Sequence, residues 1–220
     1  MDTSTFRAEY VRDEPPRWYR GWAHFWLTSC AAVTVIAVCL MRVSNVTWLE
    51  LLTVPVTLSY ANLAEYIGHK GPMHRPFPFL SVIFRHTTVH HRFYTRDHMA
   101  YEGARDFHAL LLPPSLLVFF FGLFALPVGA LLYVVATANV AYLFVASALG
   151  YFISYEWLHF CYHAPAGSLL LKIPFLVRLR QHHLVHHDPR LMSRYNFNIT
   201  VPLVDWLFGT TYREDKIPTR

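Results

Sequence analysis

From Ala109 to Tyr155 the chain carries no Lys, Arg, Asp or Glu. As one helix this run would be about 70 Å long at ~1.5 Å per residue, roughly two crossings of a ~30 Å hydrocarbon core. A soluble globule has little room for so long an uncharged stretch. The 54% hydrophobic content and mean hydropathy of +0.27 agree that lipid is the solvent. The run is predicted to form a helical hairpin, Ala109 to about Leu126 and Val128 to about Tyr155, reversing at Leu126-Pro127-Val128-Gly129.

A second pair of spans precedes it, about 22–41 and 46–66, separated by Arg42 to Asn45. The latter carries Glu50, Pro55 and Asn62, with Glu50 expected near an end where water or headgroups solvate it. Four spans place both termini on one side. Of the 19 Lys and Arg residues, 18 fall on that side and Arg42 alone in the first turn, so the positive-inside rule assigns the termini to the cytoplasm. The expectation is therefore an all-α integral membrane protein. Residues 1–220 form one domain, with four transmembrane helices arranged as two hairpins beneath a cytoplasmic helical cap. About twenty mixed polar residues open the chain, unlike a short cleavable signal peptide, so the first span is expected to be retained. Two stretches, Phe79 to Phe84 and Ser168 to Leu179, mix apolar side chains with Arg85, Lys172 and Arg178, as segments lying in the interface do.

The sequence pI near 9.2 does not signal nucleic acid, because aromatic and aliphatic runs separate the basic residues; cationic loops over anionic headgroups account for it. Cys30, Cys39 and Cys161 show no Cys-x-x-Cys spacing and read as packing residues in a reduced compartment.

Of the 14 histidines, all but His24, His98 and His108 fall into four clusters, each on the side assigned to the cytoplasm. The first is His69 and His74, the second His86, His90 and His91, the third His159 and His163, and the fourth His182, His183, His186 and His187. Residues three or four apart share a helix face, so His86 with His90, His159 with His163, and His183 with His186 and His187 can each aim at one point. His69 and His74 are five apart and diverge on a regular helix, but Gly71-Pro72 should end the helix and let the second ring turn back. Cys161 projects elsewhere on the helix that carries His159. Imidazoles crowded in this way repel one another if protonated and need partners if buried neutral, whereas a divalent metal satisfies one lone pair per ring. There are too many rings for one ion, so two metals are expected, and imidazole alone does not choose among Fe, Zn, Cu and Ni. Glu65, Glu156 and Asp188 lie close in sequence to candidate ligands and could accept the second ring N–H of a ligand.

These boxes, in this order, resemble the fatty acid hydroxylase and sterol desaturase superfamily over roughly Glu65 to Arg213. The matching stretches are EYIGHKGPMH, HTTVHH, the ALLLPP entry to the second hairpin, LGYFISYEWLHFCYH, HHLVHH and NFNITVPLVDWLFGT. The PP entry, the YE-x-x-H-x-x-x-H run and the compact spacing are most similar to the membrane domains of fatty acid 2-hydroxylases. The resemblance implies the ligands His69, His74, His86, His90, His91, His159, His163, His183, His186 and His187, with His182 surplus and either outside the ligand set or a competitor of His183. It also implies two Fe ions (zinc in isolated protein being compatible with that), O2 as co-substrate and a membrane lipid as substrate. Electrons are expected from a separate donor protein. Two departures, the three residues between His86 and His90 and Asn198 in place of a frequent Gly, leave the lipid and the position oxidised open.

Within enzymes, a sterol desaturase, a sterol methyl oxidase or a hydroxylase of a lipid headgroup would use the same boxes. A metal transporter also predicts His-rich loops, but transport needs ionisable groups at bilayer depth, and the second hairpin has none.

Overall fold

In the computed structural model, which describes residues 1–213, every regular element is a helix. In chain order these are α1 (Thr3–Asp13), α2 (Gly21–Arg42), α3 (Trp48–Leu51), α4 (Thr53–Gly68), α5 (Ser81–Phe93), α6 (Phe107–Leu110), α7 (Pro114–Phe120), α8 (Leu126–Val135), α9 (Ala138–Tyr162), α10 (Pro174–His186) and α11 (Leu203–Leu207). Two π-helical turns, His69–Met73 and Phe121–Ala125, continue α4 and join α7 to α8. Short 3-10 turns at Pro78–Leu80 and Leu169–Lys172 lead into α5 and α10.

Three helical stretches are long and apolar enough to cross a membrane: Gly21–Arg42, Phe107–Val135 and Ala138–Tyr162. The expected span at 46–66 is not among them. Thr47 and Glu50 form a reciprocal capping box that starts α3 at Trp48, and α3 ends at Leu51, capped by Leu52, before α4 begins. With the π turn that continues it, α4 runs from Thr53 to Met73, about 31 Å and long enough for a crossing, but Asn62, Glu65, His69 and Lys70 make its second half too polar for one. Pro55 sits in the first turn of α4, where its missing N–H costs no helical bond.

The expected reversal at Leu126-Pro127-Val128-Gly129 is also displaced. The chain stays helical through Pro127, and the break falls at Ala136–Thr137. A π turn makes this possible: the Leu126 N–H reaches back to the Phe121 carbonyl, and the widened turn just before Pro127 relieves the clash a proline makes with the preceding helical turn. Hence α7, the π turn and α8 form one rod of about 33 Å from Pro114 to Val135, long enough for a crossing.

The chain divides into two compact units. One comprises Arg20–Ala61 and Leu111–Glu156 and holds the bulk of the apolar helices. Its core is built on Cys39, Val145, Ala146 and Leu149, with Ile36, Leu117 and Phe121 packed against them, while side chains such as Leu131, Val134 and Val135 remain exposed, as a lipid-facing surface requires. Its chain turns are tied by polar contacts. The Glu50 carboxylate accepts from Thr137 Oγ1 (2.6 Å) and Asn139 Nδ2 (3.2 Å), and Thr137 in turn caps α9 through the Val140 N–H. Gly129, placed by sequence in a turn, is instead a point of close approach: a Cβ there would lie 2.6 Å from Val145 Cγ2.

The other unit comprises Met1–Tyr19, Asn62–Leu110 and residues 157–213. Its largest fully buried side chains are rings: Phe93, Tyr94, Phe107, Tyr162 and Phe197 beside His163, His183, His186 and His187. The buried stripe of α10 runs Leu176, Leu179, His183, His186, so an ordinary amphipathic face turns from aliphatic to imidazole within one helix. Phe79, Leu169, Phe175 and Trp206 are exposed, in keeping with an interfacial setting for the segments at 79–84 and 168–179.

Substituting Gly129→Leu should destabilise the protein by about 1–3 kcal/mol, since the β-branched Val145 cannot move aside as a flexible chain would. Thermal unfolding in detergent checks this, and an unchanged midpoint would contradict the close approach.

Candidate metal centre

Nine imidazoles converge in two groups whose candidate ligand atoms lie within 4.8 Å of one another. His90, His159, His163, His183 and His187 form one, all buried; His69, His74, His91 and His186 form the other. Both belong to the unit that carries α1, α5 and α10.

Local chain geometry explains the convergence. His90 and His91 lie in the last turn of α5, His159 and His163 one turn apart at the C-terminal end of α9, and His183, His186 and His187 at the end of α10. The awkward pair, His69 and His74, is brought together by a π turn rather than by a helix stop. That wider turn contains Pro72 and stacks the two rings with centroids 5.1 Å apart.

The second nitrogen of each ring decides what the first can do. His69 Nδ1 donates to the Phe197 carbonyl, His90 Nδ1 to Ala109 (3.0 Å), His163 Nδ1 to Met99 (2.7 Å), His186 Nδ1 to Tyr195 (3.0 Å) and His187 Nδ1 to Tyr94. A carbonyl oxygen only accepts, so each of these rings carries its proton on Nδ1 and presents a bare lone pair at Nε2. Burial, with neighbouring imidazoles adding to it, keeps the rings neutral. It lowers His69 to about 3, His74 to about 4 and His187 to about 4, and holds His90, His91, His163, His183 and His186 well below the usual histidine range.

Yet the lone pairs face one another. His90 Nε2 lies 3.2 Å from His187 Nε2, and neither atom has a proton to share. Other Nε2–Nε2 separations are 3.2 Å for His90–His159, 3.2 Å for His163–His183, 2.9 Å for His183–His187 and 3.0 Å for His74–His186. In the His90–His187 pair, where carbonyls fix both tautomers, the opposed lone pairs repel and a cation between them removes the repulsion; in each of the other pairs only one ring has its tautomer set by a carbonyl named above. With metal–nitrogen bonds of ~2.0–2.1 Å, ligands at right angles are about 2.8–3.0 Å apart and tetrahedral ones about 3.3–3.4 Å. The observed spacing suits five- or six-coordination as well as or better than a closed tetrahedron. In addition, His91 Nδ1 and His183 Nδ1 are buried without a hydrogen-bond partner among the described residues. The donor set therefore fits two metal ions.

The remaining expected site residues lie elsewhere. His86 is in neither group, although it shares the α5 face of His90. His182 is also outside both, with Nε2 3.5 Å from Asp205 Oδ2, and it is His183 that joins the five-histidine group. His24 Nε2 contacts the Leu112 carbonyl, His108 Nδ1 the Tyr10 hydroxyl, and His98 is exposed. Cys161 is a half-buried free thiol outside both groups. The carboxylates proposed to take ring N–H groups do different work. Glu65 accepts from the Ile199 and Thr200 amides, Glu156 from the Leu112 amide (3.3 Å), and Asp188 from Arg190 (2.8 Å) and Arg96 (3.4 Å). Backbone carbonyls stand where carboxylates were expected. Sequence reading also passed over Arg7, Asp106 and Asp205; a buried Asp205 could have been suspected from a lone acid inside the apolar run VPLVDWLFG.

The family profile described as fatty acid hydroxylase matches residues 54–210. The structure of full-length Scs7p, in which only the hydroxylase domain is visible, is similar at a TM-score of 0.61 and 21% identity, covering 89% of this chain and 69% of that one. At that identity the likeness concerns the fold. No match was found among curated proteins.

The lowered ring pKa values set a pH dependence. Between about 6.5 and 4 the unfolded chain takes up protons that the folded rings refuse, so stability of the metal-free protein should fall as pH drops through that window. Unfolding midpoints measured in chelator from pH 7.5 to 4.5 check this, and a flat or rising profile toward acid would contradict it.

Proposed function

Because the chain belongs to the fatty acid hydroxylase family and is thereby a hydroxylase, an oxidoreductase, we propose that it is an O2-dependent membrane hydroxylase of a lipid acyl chain, similar to fatty acid 2-hydroxylases, with iron as its working metal. One observation carries the metal reading: nine imidazoles, seven of them buried, bring ligand nitrogens together in two groups, and carbonyls leave five of those nitrogens unprotonated. His90, His159, His163, His183 and His187 hold one ion, and His69, His74, His91 and His186 the other. A pair of redox-active ions supplies what hydroxylation of an unactivated C–H bond needs, activation of O2 with electrons from a donor, here proposed to be a separate protein. Zinc has no redox chemistry and could occupy the site in isolated protein without supporting turnover.

The chain's own residues account for positioning. Five backbone carbonyls fix ring orientation and tautomer, so the ligand nitrogens are set before any ion arrives. Burial of the rings excludes bulk water and keeps them unprotonated at neutral pH. The apolar helices Gly21–Arg42, Phe107–Val135 and Ala138–Tyr162 place the protein among its substrates, with the termini and histidine clusters proposed to face the cytoplasm. His86 is retained as a candidate ligand because it shares a helix face with His90, and Glu65, Glu156, Asp188 and His182 as supports of the surrounding shell.

Iron-loaded protein incubated with O2, a reductant system and mixed lipids should yield a product heavier by one oxygen, whereas loss of two hydrogens would assign desaturation instead. His163→Ala should lower product formation at least ~100-fold while the purified variant stays helical and monodisperse. Undiminished turnover in that variant would remove His163 from the site.

A further inference from the structure

The carbonyls that orient the rings come from two separate chain segments, and each segment serves one metal group. Tyr94 at the end of α5, Met99 in the loop to α6 and Ala109 within α6 accept from His187, His163 and His90, all of the five-histidine group. Tyr195 and Phe197 accept from His186 and His69, both of the four-histidine group. None of these carbonyls is shared between the groups.

Each segment has its own ionic fastening. Arg7 of α1 is buried over the Phe93 ring, with its guanidinium carbon 4.7 Å from the centroid. It donates to the carbonyls of His98 (3.3 Å) and Ala100 (3.1 Å), which flank Met99 on both sides, and to Asp106 (3.3 Å). Asp106 also accepts the Glu102 N–H (2.7 Å), and its own carbonyl accepts from the Tyr94 hydroxyl (3.0 Å). The loop is thus pinned on both sides of its carbonyl to His163.

The second segment is fastened by anions. Asp205, completely buried, accepts the amides of Phe197 (3.0 Å) and Asn198 (2.7 Å) and the Thr210 hydroxyl (2.7 Å). Glu65 accepts the Ile199 and Thr200 amides, the Thr200 hydroxyl (2.7 Å) and Asn198 Nδ2 (3.3 Å). Neither carboxylate belongs to a metal group; Asp205 holds the amide of Phe197, whose carbonyl orients His69, and both hold the chain that follows it, with Tyr195, the partner of His186, two residues upstream.

We propose that Arg7 with Asp106, and Asp205 with Glu65, are two independent sets of positioning residues, the first for the five-histidine site and the second for the four-histidine site. Either site can then be lost while the other remains filled. This rests on the two-metal reading above. It goes further in assigning a device in the N-terminal helix to one ion and a device in the C-terminal segment to the other.

Cobalt(II) binding to the full chain in detergent tests the proposal, with cobalt just sufficient to saturate the unsubstituted protein and bound metal counted per chain after desalting. The unsubstituted chain should hold two ions; fewer would overturn the two-metal reading itself. Asp205→Asn should hold one, and so should Arg7→Gln, through a roughly 10–100-fold weakening of one site. Double variants identify which site is lost. Asp205→Asn with His74→Ala should still hold one ion, because both changes act on the same site, whereas Asp205→Asn with His163→Ala should hold none. Arg7→Gln should show the reverse pattern. A general loss of structure would not give such crossed behaviour. Two ions retained in Asp205→Asn, both lost together, or identical outcomes with His74→Ala and His163→Ala would overturn the proposal. If Asp205→Asn aggregates, Glu65→Gln is read by the same criteria, and its aggregation or loss of both ions counts against the proposal equally.

Discussion

The arrangement of the histidine-bearing unit depends on one constraint: an imidazole whose Nδ1 donates to a carbonyl has only a lone pair left at Nε2. Five rings are held in that state, and their Nε2 atoms are packed at separations such as the 3.2 Å between His90 and His187. Protonation would relieve the lone-pair repulsion at the cost of placing like charges side by side in a buried site, which is why the rings sit so far below the usual histidine pKa. A metal ion answers both problems. The protein is built around that requirement, and its largest buried side chains there are ligands and the rings that wall them in.

Backbone carbonyls rather than carboxylates complete the ligands, and this has an electrostatic consequence. Two divalent ions bound by neutral rings carry four positive charges, with no anion described in the ligand groups. The negative charges stand one layer out, at Asp106, Asp205, Glu65 and Asp188, each engaged by amides, hydroxyls or arginines. None of them belongs to a ligand group, which leaves coordination positions for oxygen and substrate in the proposed reaction.

The apolar unit solves a different problem. Its helices satisfy backbone hydrogen bonds internally, as lipid demands, and its few polar groups gather where the chain turns, with Glu50, Thr137 and Asn139 bonded to one another. Pro127 and Gly129, which read as turn formers in water, act here within a helix: one is accommodated by a π turn, and the other permits close packing against Val145. The residues that break helices in solution are thus tolerated where neighbouring chain takes over their missing contacts.

Composition and spacing alone determined that the chain is helical and apolar enough for a bilayer and that its histidines form chelating clusters, because those properties are set by residues a few positions apart on one helix. The i, i+4 pair His159 and His163 and the run His183, His186, His187 are legible for that reason. Tertiary structure decided everything that depends on residues distant in sequence. It split the rings five and four and put His183 rather than His182 into a group. It kept His86 outside both, and it replaced the expected carboxylate partners with the carbonyls of Tyr94, Met99, Ala109, Tyr195 and Phe197. Every residue has a carbonyl, so no side-chain pattern marks which one will face a ring. Only the path of the folded chain, fastened by Arg7 and Asp205 some 90 and 8 residues from the backbone they hold, makes that choice.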